Sequence, residues 1–319
     1  MKKYFFIITT VLLNIFLIAC NGGSDTKPPP TDSSQRTTAT APPDPCEGID
    51  KVDLCKDAGG VANIVIEATQ AQKMMTTFVN IFGKEGGATI RSFEPVYWLD
   101  KCVVKGIANY LRTQTGPGGK KLDGVRIYMA CELTDNPSYG TDPYRRRTSV
   151  YIFPTITQIA VPPATSDHQT VQQKIPLTGT CSSVYLQDYA IADAQHRAFN
   201  SVYRKEGTAK LKDSLSKAVW LDSCIIFTLE KLIQLPNANI DGANVNMVAY
   251  DATITPTMPV RGRFKDIQTS IILVPTHMVG GVRKDYWEIT DCLFDHAKAM
   301  GWAPPGGFNH GELCPQVCN

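Results

Sequence analysis

Apolar residues recur along this chain with two different periods. Between residues 64 and 82, Val65, Ala68, Ala71, Gln72, Met75, Phe78, Val79 and Phe82 fall at steps of three and four, which puts them on one side of a helix. A second such stripe follows Trp98: Cys102, Val103, Ile107, Tyr110 and Leu111. The period then drops to two. Val125, Ile127, Met129 and Cys131 alternate with Arg126, Tyr128 and Ala130, which predicts a strand with one apolar and one mixed face, in a sheet with helices on one side only. Val150, Tyr151, Ile152 and Phe153 offer apolar groups to both faces, so their strand needs cover on both sides or a central place.

The same succession returns further on. Ala71-Gln72 and Phe78-Val79 correspond to Ala194-Gln195 and to Phe199 with Val202; Trp98, Asp100 and Cys102 correspond to Trp220, Asp222 and Cys224. Asp123-Gly124 before a strand corresponds to Asp241-Gly242, and Thr148 to Thr155 corresponds to Thr269 to Thr276. Four blocks in one order predict an internally duplicated α+β fold. Each helix-helix-strand-strand module would pack an antiparallel sheet against helices, the first over residues 46–165 and the second over 166–319, paired through the two apolar strands. A final helix is expected from Lys284 to Met300, ended by Gly301, with a cysteine-rich tail beyond it.

The first residues follow neither period. Lys2 and Lys3 precede an apolar run that ends in Leu17-Ile18-Ala19-Cys20, the pattern of an export signal over residues 1–19. Its close resembles the lipobox of bacterial lipoproteins, which implies cleavage before Cys20 and acylation of that residue, palmitate included. Asn21 in the next position implies sorting to the outer membrane. Residues 20–45, rich in Pro, Thr and Ser and without a large apolar side chain, read as a disordered tether. Removing Lys2 and Lys3 takes the 32 basic residues to 30, equal to the 30 acidic ones, so the mature chain has no net basic field for nucleic acid. Arg145-Arg146-Arg147, among Gly, Asp and Pro, reads as a solvated loop.

Of ten cysteines, nine remain beside Cys20, an odd number in a compartment where disulfides form. Cys46 with Cys55 and Cys314 with Cys318 are the local pairs expected; the other connections stay open. Cys102 and Cys224 read as small buried hydrophobes, with a disulfide between them as the alternative. Asp100 and Asp222 are expected in the first turns of helices, where a carboxylate complements free N–H groups and the dipole. Catalytic signatures are sparse: the chain contains no G-x-S-x-G, H-E-x-x-H or C-x-x-C. One cluster could hold zinc, made of Cys292 and His296 one helical turn apart with His310, Cys314 and Cys318 beyond. His277, after the second Val-Pro-Thr, is expected in a loop at a strand end, where functional residues often lie. His168 reads as solvated, and His196 as part of the packing.

Asp123 to Met129, Ile271 to Thr276 and Gly311 to Pro315 together resemble a group of Bacteroidota lipoproteins and exported proteins with no established activity. That resemblance implies an envelope location and no chemistry; Asn244, where the first module has Arg126, departs from its pattern. The expected function is a non-enzymatic, lipid-anchored envelope protein that binds another protein or a glycan through Arg126, Tyr128, Tyr151 and the His277 region. The alternative is a zinc-dependent or hydrolytic enzyme using His277 or the C-terminal His/Cys cluster.

Overall fold

A computed structural model describes residues 44–52, 54, 66–85, 88–140, 144–157, 168–205, 215–249 and 269–300. The export signal, the tether and the cysteine-rich tail with His310, Cys314 and Cys318 lie outside these residues. In chain order the elements are helix α1 (Ala68–Phe82), a small ribbon of β1 (Lys84–Glu85) and β2 (Ala88–Thr89), β3 (Val96–Asp100), α2 (Lys101–Thr113), β4 (Leu122–Cys131), β5 (Thr148–Thr157), β6 (His168–Thr170) and α3 (Tyr189–Phe199). A π-helical turn, Asn200–Lys205, prolongs α3. Then come β7 (Ala218–Asp222), α4 (Ser223–Ile233), β8 (Ile240–Ala249), β9 (Thr269–Val279), β10 (Val282–Asp285) and α5 (Trp287–Ala299).

The fold is mixed α+β, with two four-stranded antiparallel sheets packed against helices. Their strand orders are β6-β5-β4-β7 and β10-β9-β8-β3. The two apolar strands, β5 and β9, do not pair with each other as the sequence had suggested; each lies inside its own sheet. The pairings that link the two stretches of chain are made by β3 and β7, which were not foreseen. VYWLD and AVWLD are five residues each, too short for periodicity to separate them from the helix that follows. β3 leaves its own neighbours and joins β8, whereas β7 joins β4, so each sheet holds one short strand from the other half of the chain.

The registers of these two exchanges match. Trp98 lies opposite Asn244 and Asp100 opposite Gly242; Trp220 lies opposite Arg126 and Asp222 opposite Gly124. Asp123-Gly124 and Asp241-Gly242, expected ahead of their strands, lie inside them, at a register shift between residues 122 and 124 and between 240 and 242. The glycines are required by proximity. A Cβ on Gly124 would stand 2.2 Å from the Leu221 carbonyl oxygen and 2.8 Å from Trp220 Nε1; on Gly242 it would stand 2.2 Å from the Leu99 carbonyl oxygen and 2.7 Å from Trp98 Nε1.

Both strands run straight into helices. Asp100 and Asp222 are the N-cap residues, one position ahead of the first turn, and each side chain accepts from the backbone N–H two residues on, Cys102 or Cys224, at 2.7 Å. The helices α2 and α4 pack against each other and against the inner faces of both sheets. Val103, Ile107, Leu111, Ile226 and Leu229 meet Val125, Ile127, Val245 and Met247 in one continuous core. Arg112 of α2 reaches the buried Glu230 of α4 and lies over the Phe227 ring.

Contrary to the one-sided sheet expected, the outer faces are covered as well. α1 lies on β8, with Ala71 and Met74 against Val248, Ile272 and Val274. α3 lies on β4, with Ala192 against Ala130, Tyr151 and Phe153. The α1 stripe is also rotated slightly from its predicted place: Met74 is fully buried, whereas Val79 is half exposed.

Disulfides tie distant segments. Cys46 is bonded to Cys292 of α5, which corrects the local pair with Cys55, and Cys102 is bonded to Cys181. Cys224 is disulfide-bonded too. Cys102 and Cys224 are therefore neither plain core thiols nor joined to each other. Cys131, buried under the first sheet, is the one free cysteine among the described residues.

Candidate functional site

The polar side chains of the fold converge around the two tryptophans of the exchanged strands. In the first sheet, Asp123 accepts from Thr155 Oγ1 at 2.5 Å, from Thr157 Oγ1 at 2.6 Å and from His168 Nδ1 at 2.8 Å. Thr155 Oγ1 in turn accepts from Trp220 Nε1 at 2.9 Å. The His168 ring stacks on the Trp220 indole with centroids 3.6 Å apart, and its carbonyl accepts from Arg126 at 2.8 Å. His168, expected to be solvated, is thus held on three sides by residues far from it in sequence. Burial pushes the Asp123 carboxyl upward, but the hydrogen bonds from His168, Thr155 and Thr157, with the charge of the imidazole, outweigh it and hold the group below its ordinary value.

The second sheet carries the counterpart. Asp241 accepts from Thr276 Oγ1 at 2.6 Å and from Arg283 Nε at 2.9 Å, and Thr276 Oγ1 accepts from Trp98 Nε1 at 3.2 Å. The Arg283 guanidinium lies 3.4 Å from the centre of the Trp98 ring system, where His168 lies on Trp220. Beside it, Asn244 donates to Asp285 at 2.8 Å. Asn246 is fully buried beside them. Desolvation raises the Asp285 carboxyl above its ordinary value, while the nearby Asn244 and Asn246 amides act in the opposite direction.

Asp123 accepts from two threonine hydroxyls and a stacked imidazole, and Asp241 from one threonine hydroxyl and a stacked guanidinium, all of its own sheet. Such an arrangement fixes strands at a bulge. An apolar cavity of about 60 Å³ lies between α4, β9 and α5, lined by Leu229, Leu232, Leu273 and Leu293 among others. A larger polar cleft of about 470 Å³ is lined by Asp241 itself with Lys101, Lys105, Gln234 and Asn239.

The sites predicted from sequence fare unevenly. Arg126 is 2 % exposed, held inside the first network rather than offered to a partner. Tyr151 and Phe153 are buried beneath α3, the Tyr151 hydroxyl donating to Gln195, and Tyr128 is half-buried with its hydroxyl on Thr170 at 2.7 Å. A helix thus covers the aromatic sheet face that the sequence suggested as open. His277 lies within β9, not in a loop, and stacks on Tyr286 at 3.9 Å. Cys292 is joined to Cys46, so it has no thiolate to give a metal, and His296 loses that neighbour. Among the described residues no group of three His, Cys, Asp or Glu side chains is placed to hold a metal ion. His196 bonds the Met129 carbonyl at 2.7 Å and meets the Tyr128 ring edge-on. In the arginine cluster Arg145 and Arg147 are exposed, as a solvated loop requires, while Arg146 pairs with Asp135 at 2.9 Å and Arg147 with Glu94 at 3.4 Å.

The networks around Asp123 and Asp241 were missed because Asp-Gly was placed ahead of the strands rather than inside them. The available signal was the recurrence of Asp-Gly, Trp-Leu-Asp and Pro-Thr together in both halves of the chain. The chain matches no family model, no curated protein and no solved structure.

Proposed function

We propose that this is an exported, lipid-anchored protein of the cell envelope that works by binding a protein or glycan partner rather than by catalysis. The observation that carries this reading is the disulfide pattern: cross-links spanning 246 and 79 residues fit a chain that matures in an oxidising compartment. An export signal ending in Ala19-Cys20 points the same way. Support for binding over catalysis comes from the two carboxylate networks, whose acceptors are committed to holding strands together.

The chain is also the product of an internal duplication in this reading. The repeated unit is helix-strand-helix-strand-strand, and the two copies interlock by exchanging their first strand. Matching registers, matching bulges at Gly124 and Gly242, matching Trp-Thr-Asp bonds and matching caps at Asp100 and Asp222 all favour one ancestral unit laid down twice.

Labelled palmitate in a bacterium with two membranes tests the location. Wild-type protein should take up label and fractionate with the outer membrane, whereas Cys20→Ala should not be labelled. Unlabelled wild-type protein with Met1 retained in the cytosol would overturn the reading.

A further inference from the structure

The β9–β10 hairpin ends in Met278-Val279-Gly280-Gly281-Val282. Its two central glycines have φ of 59° and 80°, the left-handed pair that a tight two-residue hairpin loop needs. Met278, Val279 and Val282 are 51, 42 and 60 % exposed, three large apolar side chains at one projecting tip. Val279 pairs with Val282 and Met278 with Arg283, so the apolar groups stand on both faces of the hairpin. A flat protein partner would cover one face; a medium that surrounds the tip covers both. Arg283 and Lys284, both exposed, follow directly on the edge strand β10. Like charges on an open edge disfavour pairing with a second copy of the same edge, and basic residues behind an apolar tip suit anionic lipid headgroups.

The covalent path places this tip within reach of a lipid anchor. Cys46, near the start of the described residues, is bonded to Cys292 in α5, and β10 leads into that helix. From Cys292 back to Val282 the chain spans about 25 Å at most, from the rise of a helix and of a strand. The link from Cys20 to Cys46 can span about 90 Å at most, from the reach of the chain per residue. We infer that the hairpin tip 278–282 is a second membrane contact, inserting Met278, Val279 and Val282 into the interface of the bilayer to which Cys20 is attached, with Lys284 at the headgroups. This rests on the lipid-anchored reading above, and the test separates the two.

The chain from Asn21 onward, with a hexahistidine tag in place of the lipid, is held on phosphatidylcholine/phosphatidylglycerol vesicles that contain a nickel-chelating lipid. Attachment then does not depend on acylation. Amide exchange at residues 279–282 should slow about tenfold on vesicles relative to the same protein free in solution. The variant carrying Met278→Ser, Val279→Ser and Val282→Ser should exchange equally fast in both, with β8 and β9 protected as in wild type to show that the fold is kept. Unchanged exchange in wild type, or equal slowing in the variant, overturns the inference. Slowing that follows protein concentration without vesicles overturns it too, and assigns the tip to a second copy.

Discussion

Gly124→Ala and Gly242→Ala test the interlocked sheets at their tightest points. At both positions the new methyl would meet a backbone carbonyl oxygen at 2.2 Å, Leu221 in one case and Leu99 in the other. Contacts of this kind require at least 3.0 Å, and a backbone atom cannot rotate away as a side-chain end can. The exchanged strand must therefore retreat by close to an ångström. Overpacking of this kind costs about 1–3 kcal/mol. Loss of the indole bond to Thr155 or Thr276, and of a ladder bond beside it, adds about 1 kcal/mol each. Each variant should then lose about 3–5 kcal/mol, and its melting temperature should fall by about 6–20 °C at this chain size. Urea unfolding followed by far-UV circular dichroism and by tryptophan fluorescence gives the loss directly; the indole signal should change first, because Trp98 and Trp220 sit in the strands that move. The two losses should agree within about 1 kcal/mol, since the obstructing atoms and distances agree. A Gly124→Ala protein as stable as wild type, or one variant crippled and the other unaffected, would refute the reasoning.

Other expectations follow from the same contacts. Asp285→Asn should stabilise the protein at neutral pH and lose that advantage toward acid: the folded carboxyl keeps its proton to higher pH than the unfolded one, so wild-type stability falls as pH rises from the ordinary value of 3.8. Asp123→Asn should do the reverse, destabilising at neutral pH, with the gap closing as acid protonates the wild-type carboxylate below 3.8; denaturation at several pH values checks both signs. Asp100→Ala and Asp222→Ala should each cost about 1 kcal/mol by the loss of a helix cap, read by urea denaturation. Peptide mapping without reductant should recover Cys46 with Cys292 and Cys102 with Cys181. In the same samples Cys131, whose thiol burial pushes up to about 12, should resist iodoacetamide until the protein is unfolded.

Helices and long strands were legible because their side chains divide cleanly between inside and outside over three or more turns or alternations. The stripes of α1 and α2 and the alternation of β4 are of this kind. What escaped was short or non-local. β3 and β7 have only five residues each, and nothing in Val-Tyr-Trp-Leu-Asp says that its partner is Asn244 rather than Arg126. Lys284, taken as the start of the last helix, lies in an edge strand, since Gly280-Gly281 makes a hairpin of the residues around it. The aromatic residues of β4 and β5 were mistaken for an open face because alternation reports which side a residue is on, not whether a helix such as α3 later covers it. His168 was unreadable for the same reason: its partners Asp123 and Trp220 are 45 residues before it and 52 after it. Disulfides between residues 246 apart leave no local trace at all.

The exchange of β3 and β7 between the sheets carries the account, and cross-strand nuclear Overhauser effects in the isotope-labelled protein measure it most directly. Contacts between the backbone protons of Trp98 and Asn244, and between those of Trp220 and Arg126, are the predicted result. Contacts of Trp98 with Arg126 and of Trp220 with Asn244 instead would show each half of the chain folding on itself, and would contradict it.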